Sequence, residues 1–413
     1  MNNFLLRIAQ VVVLIQLVPL VAAALFLRIV RNLKHPKARS IVFGGPGLIN
    51  YKYWCEALRF GGWDASTMVW GTPSILDPGT FEFDLQSKFG RLAYLFAPYA
   101  FIKAIARFQI VWCGFDGFLL GTTILRPVEP WLIKLAGCKL IAVPYGGDAY
   151  VYSNVRSGSW AHALQVSYPQ AARHQRSISG NIHRMTKRAD FMMPGVMGFD
   201  GIGRWDVLSP SPLCINALAI SPNVEKHSRK EMVVIHTPNH RGCKGTEFLV
   251  QAVENLRKEG CEITLRLLEG IPNKEVLRQL SDEADVLVEQ LIFQGYAMSG
   301  VEGLAAGTVV VANLSDEKLL LPFRRWSFLD ECPVVSGTPE SIESVLRLLY
   351  FDPLLRNGLS IQGREYALKF HSYAAFIALY REIEKLVFDE RGSMINFYSP
   401  NTESTKPTAD PSL

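Results

Sequence analysis

The sequence predicts an α/β protein with two Rossmann-like, doubly wound domains that face a cleft, preceded by an N-terminal membrane helix. Three observations support this prediction. Short apolar or β-branched segments alternate with helical segments along most of the chain, which is typical of parallel sheets covered by helices. Several of these strands end in glycine-rich turns, such as Gly44–Gly47. A length of 413 residues is enough for two separate cores.

The composition excludes several classes of function. The chain is 49% hydrophobic and 20% charged, with a net charge of +5. Residues 28–39 hold five cations and no acid, so the net charge of the remaining residues is about zero. A nucleic-acid partner is therefore not indicated. The seven cysteines are scattered without a Cys-x-x-Cys pair. This pattern favours a reducing compartment and indicates neither a zinc site nor a disulfide framework.

The amino-terminal segment Phe4–Leu27 is apolar except for one arginine and two glutamines. Its uncharged part, Val11–Leu27, has about 17 residues, which is near the lower limit for crossing a bilayer. We therefore expect residues 1–37 to form a single membrane anchor with its basic flank.

The position of the charges predicts the orientation of this anchor. The basic segment 28–39 follows the apolar helix, so the positive-inside rule places the body of the protein in the cytoplasm. Two alternatives remain open. The segment could lie on the membrane surface with a bend at Pro19, or it could be a cleaved signal peptide with the small residues Ala22–Ala24 near the cut.

Residues 38–224 are expected to form the first domain. Its first strand, Ile41–Phe43, leads into a turn with Gly45 and Gly47, where a ligand can approach the backbone closely. The turn is not the G-x-G-x-x-G fingerprint, and no acid lies at the distance expected for a ribose contact. A dinucleotide cofactor is therefore disfavoured.

A later strand of the same domain, Lys139–Pro144, ends in Tyr145, two glycines and Asp148. Such folds bind ligands at the carboxyl ends of their strands. Asp148 is therefore a candidate functional residue, although an aspartate here could also cap the following helix.

Residues 225–388 are expected to form the second domain. Arg241 and Lys244 precede an amphipathic helix, Glu247–Glu259, and two cations beside a helix amino terminus suit a diphosphate. The next strand, Thr264–Leu268, ends at Glu269.

The segment Asp285–Asn313 carries the most information. It predicts a strand, a glycine loop at Gln294–Gly300, a helical turn that Gly307 ends, and a β-branched strand. A glycine loop that opens a helix presents free N–H groups and the positive end of the helix dipole, which suits a phosphate. Glu302 follows Gln294 by eight positions, so both side chains can face one ligand.

This segment resembles the donor-binding element of the retaining GT-B glycosyltransferases, family 4 in particular. Their signature is a Glu, a Gly-aromatic-Gly-like loop, a second Glu eight positions later, a small-residue helix, a Gly and a valine strand. The matching positions are Gln294, Gly295, Tyr296, Glu302, Gly307 and Val309–Val311. The first Glu of the family is Gln294 here, which can hydrogen-bond a sugar hydroxyl but carries no charge.

The resemblance extends to other parts of the chain. Arg241 and Lys244 match the family's two cations, and relatives place the nucleotide base against the turn that holds Glu269. Tyr145 stands where many relatives have a His that touches the donor sugar or acceptor, and Asp148 matches the Asp of that motif.

The resemblance implies transfer of a sugar, with retention, from a nucleotide-diphosphate sugar to an acceptor. It implies no metal and no cofactor, because the nucleotide-sugar is a substrate and the cations with the helix amino terminus would carry the diphosphate charge. The anchor favours an acceptor in the membrane, such as a polyprenyl-linked one, in surface glycan or polysaccharide synthesis. The implied roles are catalytic for Asp148 and Tyr145, donor-binding for Arg241, Lys244, Gln294, Gly295, Tyr296, Glu302 and Glu269, and cleft-lining for Gly45 and Gly47.

Two other functions share this fold. A nucleotide-sugar 2-epimerase has a soluble substrate and needs no anchor. A non-catalytic GT-B partner protein is the second alternative, because Gln294 and Tyr145 both replace family residues.

Two further segments have unusual composition. Residues 149–189 contain no acid but six Arg or Lys residues, and we expect Arg173, Arg176, Arg184, Lys187 and Arg188 to meet an anionic membrane surface. Residues 389–413 are rich in Ser, Thr, Pro and Asn, which predicts disorder.

Overall fold

The computed structural model describes residues 3–33, 40–194, 202–209, 212–326 and 329–389. The predicted disordered tail lies outside these ranges except for its first residue, as does the second half, 34–39, of the basic segment 28–39.

The first domain is built on a six-stranded parallel sheet with the strand order β3-β2-β1-β4-β5-β6. The strands are β1 Ser40–Gly45, β2 Asp64–Val69, β3 Phe83–Asp84, β4 Ile110–Cys113, β5 Lys139–Ala142 and β6 Phe191–Met192. The described residues also form two amino-terminal α-helices and seven α-helices within this domain. They are α1 Asn3–Ile15, α2 Leu17–Leu33, α3 Ile49–Phe60, α4 Leu85–Phe89, α5 Ala93–Arg107, α6 Glu129–Leu135, α7 Gly158–Ser167, α8 Pro169–Arg173 and α9 Gln175–Arg188.

The second domain has a five-stranded parallel sheet with the order β11-β10-β9-β7-β8. Its strands are β7 Met232–His236, β8 Ile263–Leu267, β9 Val286–Gln294, β10 Val309–Asn313 and β11 Val335–Ser336. The helices that follow along the chain are α10 Arg241–Lys244, α11 Thr246–Lys258, α12 Asn273–Asp282, α13 Met298–Ala305, α14 Glu317–Trp326, α15 Ile342–Phe351, α16 Pro353–Phe370 and α17 Tyr373–Asp389.

The central strands are buried on both faces, which explains their nearly continuous apolar sequences. β4 reads IVWC and β7 reads MVVIH, and every residue in both is buried. Parallel strands joined by right-handed crossovers place helices on both faces of a sheet, so neither face meets water. In the first domain, α3 packs on β1 and β2, and α6 and α9 pack on β5. Right-handed crossovers in the strand order β3-β2-β1-β4-β5-β6 put α3 on one face and α5, α6 and α9 on the other. The predicted fold class is confirmed.

The carboxyl-terminal helix returns to the first domain. α17 packs against α3, and its Phe376 stacks on Trp54 at a ring-centroid distance of 6.1 Å. Tyr380 makes an edge contact with Trp63 at 5.5 Å. The first domain is therefore completed by the end of the chain.

The amino-terminal helices pack on the first domain. Phe4–Leu33 is the one helical stretch among the described residues that is long and apolar enough to cross a membrane. Within it, α2 lies against α5 and α6. Arg31 donates hydrogen bonds to the carbonyls of Ile105, Phe108 and Ala136, where α5 and α6 end.

Two elements differ from the sequence prediction. β9 continues through Leu291–Gln294, because this apolar run is buried beside β10. Arg241 and Lys244 do not lie in an open loop, since they begin and end the short helix α10.

Candidate functional site

The candidate site lies where the carboxyl ends of the two sheets approach each other. The first domain reaches the second through the segment 150–168. Phe293 of β9 packs on the rings of Tyr150 and Trp160, and Tyr168 packs on His240 with ring centroids 4.2 Å apart. The hydroxyl of Ser167 accepts a hydrogen bond from the amide of Cys243 at 2.9 Å. α10 is therefore held by both domains.

A buried ion pair joins α10 to β9. The Lys244 ammonium lies 2.5 Å from Oε1 of Glu289, and both side chains are almost entirely buried. Two opposite charges taken out of water need close geometry and further hydrogen bonds to offset their lost hydration. Glu289 obtains these bonds at the beginning of α13.

The Glu289 carboxylate lies at the amino terminus of α13. It accepts hydrogen bonds from the amide of Ala297 at 3.3 Å and from the hydroxyl of Ser299 at 2.9 Å. The helix end that was predicted to offer free N–H groups to a phosphate thus already holds an internal anion. A carboxylate is stabilised here for the same reason as a phosphate, by the dipole and the unpaired donors.

Sequence reasoning missed Glu289. The available signal was the polar pair Glu289-Gln290 in the middle of a strand whose other residues are nearly all apolar. A charged side chain at a buried strand position requires a partner, and Lys244 is the partner.

Arg241, the second predicted cation, is exposed and pairs with two carboxylates. Its Nε lies 2.8 Å from Glu247, and its Nη1 lies 3.2 Å from Glu269. Glu269 follows β8, so the contact ties the carboxyl end of that strand to α10. Both of the cations that were predicted to bind a diphosphate therefore form ion pairs with glutamates of the protein.

The residues of the predicted glycine loop each have a different hydrogen-bond partner. Gln294 is buried, and its Oε1 accepts a hydrogen bond from the amide of Asp316 at 3.2 Å. Gly295 has a φ of +82°, which favours glycine, and its amide donates to the carbonyl of Asn313.

The Tyr296 side chain lies inside the second domain. It is fully buried, and its hydroxyl lies 2.9 Å from Nε2 of His371 and 3.2 Å from the Tyr366 hydroxyl. The one polar group of this side chain is therefore bound by residues at the end of α16.

Glu302 is buried in α13 and accepts a hydrogen bond from Nδ2 of Asn273 at 2.8 Å. Burial raises the pKa of Glu302 to about 7, and the bond from Asn273 opposes this rise. Asn273 begins α12, so this contact fixes the turn after β8 against α13. Gln294 and Glu302 therefore each have a protein partner of their own.

Asp148 is buried and hydrogen-bonded within the first domain. Its carboxylate accepts hydrogen bonds from the amides of Phe115, Tyr145 and Gly146 at 2.7 to 3.1 Å. It thus joins the turns that follow β4 and β5, and it does not cap a helix. Burial, followed by the nearby Asp116 carboxylate, raises the pKa of Asp148 to about 7.

Tyr145 is 41% exposed, and its hydroxyl donates a hydrogen bond to Oδ2 of Asp116 at 2.6 Å. Nη1 of Arg126 lies 3.6 Å from the other oxygen of Asp116. Burial, Asp148 and Asp116 all raise the pKa of Tyr145, so its hydroxyl remains protonated. Asp116 was missed, although it is the single acid in the loop after β4.

The glycines of the first turn are required by neighbouring backbone. A Cβ on Gly45 would lie 2.6 Å from the carbonyl oxygen of Gly117, and a Cβ on Gly47 would lie 2.3 Å from that of Gly71. Gly45 also has a φ of +119°. The groups that approach the backbone of this turn closely are thus loops of the same domain.

The described residues include no group of three or more His, Cys, Asp or Glu side chains that could hold a metal ion. The charges at the candidate site come from ion pairs and hydrogen-bonded carboxylates.

Comparison with known proteins supports the fold. No family description matches the sequence, and no curated protein is significantly similar to it. Among solved structures, the chain is similar to Anabaena HepE in complex with UDP-glucose, with a TM-score of 0.52 and 12% identity over 84% of this chain and 99% of that one.

Two further structures were matched with lower scores. One is WaaG, a glycosyltransferase involved in lipopolysaccharide biosynthesis, with a TM-score of 0.48 and 13% identity over 84% of this chain and 99% of that one. The other is a putative UDP-N-acetylglucosamine 2-epimerase from Listeria monocytogenes, with a TM-score of 0.48 and 10% identity over 86% of this chain and 98% of that one.

Proposed function

We propose that this protein transfers a sugar from a nucleotide-diphosphate sugar to an acceptor at a membrane. The observation that carries the proposal is the buried Lys244–Glu289 pair at the amino terminus of α13. A lysine is costly to bury, so its placement at a helix end suits a role in binding an anion.

The pair leaves capacity for a diphosphate. An ammonium has three N–H donors, so a phosphate oxygen can bind Lys244 while Glu289 still orients it. The fixed position lowers the cost of reorganisation when negative charge develops on the leaving diphosphate. In this proposal Lys244 binds the phosphates and Glu289 positions Lys244.

The first domain would supply the acceptor side. The exposed Tyr145 hydroxyl and the Asp116 carboxylate lie at the carboxyl ends of β5 and β4, and one can donate while the other accepts a hydrogen bond. An acceptor hydroxyl needs both kinds of partner to be oriented and to lose its proton.

The finer parts of the proposal have separate support. A UDP-sugar is the first donor to test, because HepE was solved with UDP-glucose and shares the fold. Retention of configuration and independence from metal follow from the resemblance to the family 4 enzymes. An acceptor carried by a lipid, such as a polyprenyl-linked one, is supported by the apolar helices α1 and α2.

One observation favours a second candidate, a non-catalytic GT-B protein. Gln294, Tyr296 and Glu302 all make internal hydrogen bonds, so the residues that match the donor motif also have structural roles. Such a protein would bind a nucleotide diphosphate without turnover.

The test is a screen of nucleotide-sugars for thermal stabilisation of the full chain, followed by turnover with lipid extracts. Stabilisation by one donor together with transfer of its sugar to lipid supports the proposal. Stabilisation without transfer supports the non-catalytic candidate, and conversion of UDP-N-acetylglucosamine to its 2-epimer would make the protein an epimerase. The absence of stabilisation by any nucleotide diphosphate would overturn the proposal.

A further inference from the structure

The helix α2 is a structural part of the first domain. It begins beside Leu95, whose carbonyl accepts a bond from Gln16 at 3.5 Å. It ends where Arg31 binds the last carbonyls of α5 and α6. α2 therefore runs parallel to α5 along its whole length, and its Leu20 and Ala24 are buried in the core of the domain.

The outer side of α1 and α2 has no such cover. Between Phe4 and Leu33, twelve large apolar side chains are exposed. The surface continues onto the domain itself, where Leu92 and Tyr99 are 53% and 58% exposed. A groove of about 400 Å³ between Pro19 and Tyr99 joins the two parts, and its lining is almost wholly apolar. We call α1, α2 and the outer side of α4–α5 the docking face.

The charges that these helices themselves carry are all of one sign. Residues 3–33 contain three arginines, residues 85–109 contain four Lys or Arg residues, and neither segment contains an acid. Arg28, Lys88, Arg91 and Lys103 are exposed. Apolar patches of this size are uncommon on soluble monomers and mark an interaction surface. The surrounding cations complement anionic lipid headgroups.

We propose that the docking face sits in one leaflet of an anionic bilayer, with α1 and α2 in the plane of the membrane rather than across it. α5 and α6 cover the inner side of α2, and both helices cover the sheet. Moving α2 across the bilayer would either strip these contacts or draw polar parts of the domain into hydrocarbon. An amphipathic helix in the interface buries its apolar side without either cost.

This arrangement does not depend on the proposed reaction, because it concerns only how the first domain meets lipid. It makes the surface of the folded domain part of the membrane contact. A spanning anchor would leave α5 in water. The two arrangements therefore predict different effects for substitutions on α5.

The first experiment measures flotation of the full-length protein with vesicles of phosphatidylcholine and phosphatidylglycerol. The variants are Phe26→Asp on α2, Leu92→Asp and Tyr99→Asp beside or on α5, and Leu354→Asp as a matched control on the second domain. All four positions are exposed, so folding should be unaffected, which thermal melting checks. We expect the first three variants each to lower the partition coefficient about tenfold or more and the control to leave it unchanged.

The second experiment measures depth in the membrane. Spin labels are placed singly at Val12→Cys, Val18→Cys, Phe26→Cys and Leu33→Cys, with the labelled natural protein as background. Six of the seven native cysteines are buried. Similar shallow depths at all four positions support the proposal.

Two results would overturn it. One is a depth profile that passes through the bilayer centre, together with wild-type partitioning of Leu92→Asp and Tyr99→Asp, since this describes a spanning anchor. The other is a protein that ignores vesicles and sediments as a dimer that Tyr99→Asp dissociates, since a second copy would then cover the docking face.

Discussion

The Lys244 ammonium and the Glu289 carboxylate form a buried ion pair at the amino terminus of α13, 2.5 Å apart. Glu289 also binds Ala297 and Ser299, so the cation, the acid and the helix end are one unit. A substitution of either residue consequently affects both the fold and the candidate site, and the two effects must be separated.

For Lys244→Ala we expect a loss of turnover on the order of 10²–10³, as for other preorganised contacts to developing charge. We also expect the free energy of unfolding of this variant to fall by about 3–5 kcal/mol, because Glu289 would remain buried without its cation. Urea unfolding and steady-state kinetics measure the two quantities.

The double variant Lys244→Met/Glu289→Gln is the control for this prediction. It removes both charges, so it should recover most of the stability but none of the donor affinity. Normal turnover in the double variant would remove Lys244 from the site.

Glu302→Ala should be nearly inactive, whereas Gln294→Glu should be tolerated. The glutamate restores the family residue, and its carboxylate can still accept the bond from the amide of Asp316. Transfer rates with a saturating donor measure both. The reverse pattern, an inactive Gln294→Glu with an active Glu302→Ala, would show that these two positions do not hold the donor.

Glu302 should also make stability depend on pH. Its pKa is raised from 4.5 to about 7 in the folded protein, so the folded state binds the extra proton. Its favourable contribution is present in full below pH 4.5, is lost as the pH rises towards 7, and changes little above that. Against Glu302→Gln, which cannot ionise, the wild type should lose about 3 kcal/mol between pH 4.5 and 8. Urea unfolding at several pH values tests this, and parallel profiles would contradict it.

Asp116→Asn should reduce turnover on the order of 10² if the carboxylate accepts the acceptor's proton. The donor KM should stay unchanged, because Asp116 belongs to the first domain. Tyr145→Phe, which leaves Asp116 ionisable but removes the 2.6 Å hydrogen bond, is the matched comparison. An increase in donor KM for either variant would assign this pair to the donor instead.

The basic helix α9 should contribute to membrane binding. Changing Arg184, Lys187 and Arg188 to Ser should weaken vesicle binding, and the effect should shrink at high salt, because each exposed cation contributes about 1 kcal/mol. Arg184 contributes least, since it is partly buried and donates to Asn181. Donor affinity should not change. The control is Lys258→Ser/Lys318→Ser on the second domain.

This measurement uses the full chain. α2 packs on α5 and α6. Removing the amino-terminal helices would therefore expose the apolar surface of α5 and α6 that α2 covers, and this surface would bind vesicles artificially. If the α9 variant and the wild type bind vesicles equally at low salt, Arg184, Lys187 and Arg188 do not contribute to membrane binding.

The fold could be predicted because it depends on properties that neighbouring residues share. Runs such as Val309–Val311 are apolar and β-branched over several positions, and Gly307 has the positive φ expected after a helix. Lys244 and Glu302 were likewise proposed as site residues from their spacing around such elements.

Other parts of the site could not be predicted because they depend on partners distant in sequence. Glu289 is 45 residues from Lys244, and Asp116 is 29 residues from Tyr145. The burial of Tyr296 depends on His371, which is 75 residues away. A local motif cannot show whether an aromatic side chain will point to the cleft or to the interior.

The return of α17 has a consequence for the order in which the chain is made. Phe376 and Tyr380 contribute to the aromatic cluster around Trp54 and Trp112, which belong to α3 and β4. During synthesis these tryptophans leave the ribosome hundreds of residues before the helix that covers them. The first domain must therefore wait, with this face uncovered, until the second domain has emerged. A chain that stops before residue 373 would lack the cover altogether, so an early stop yields an aggregation-prone product rather than a smaller folded domain.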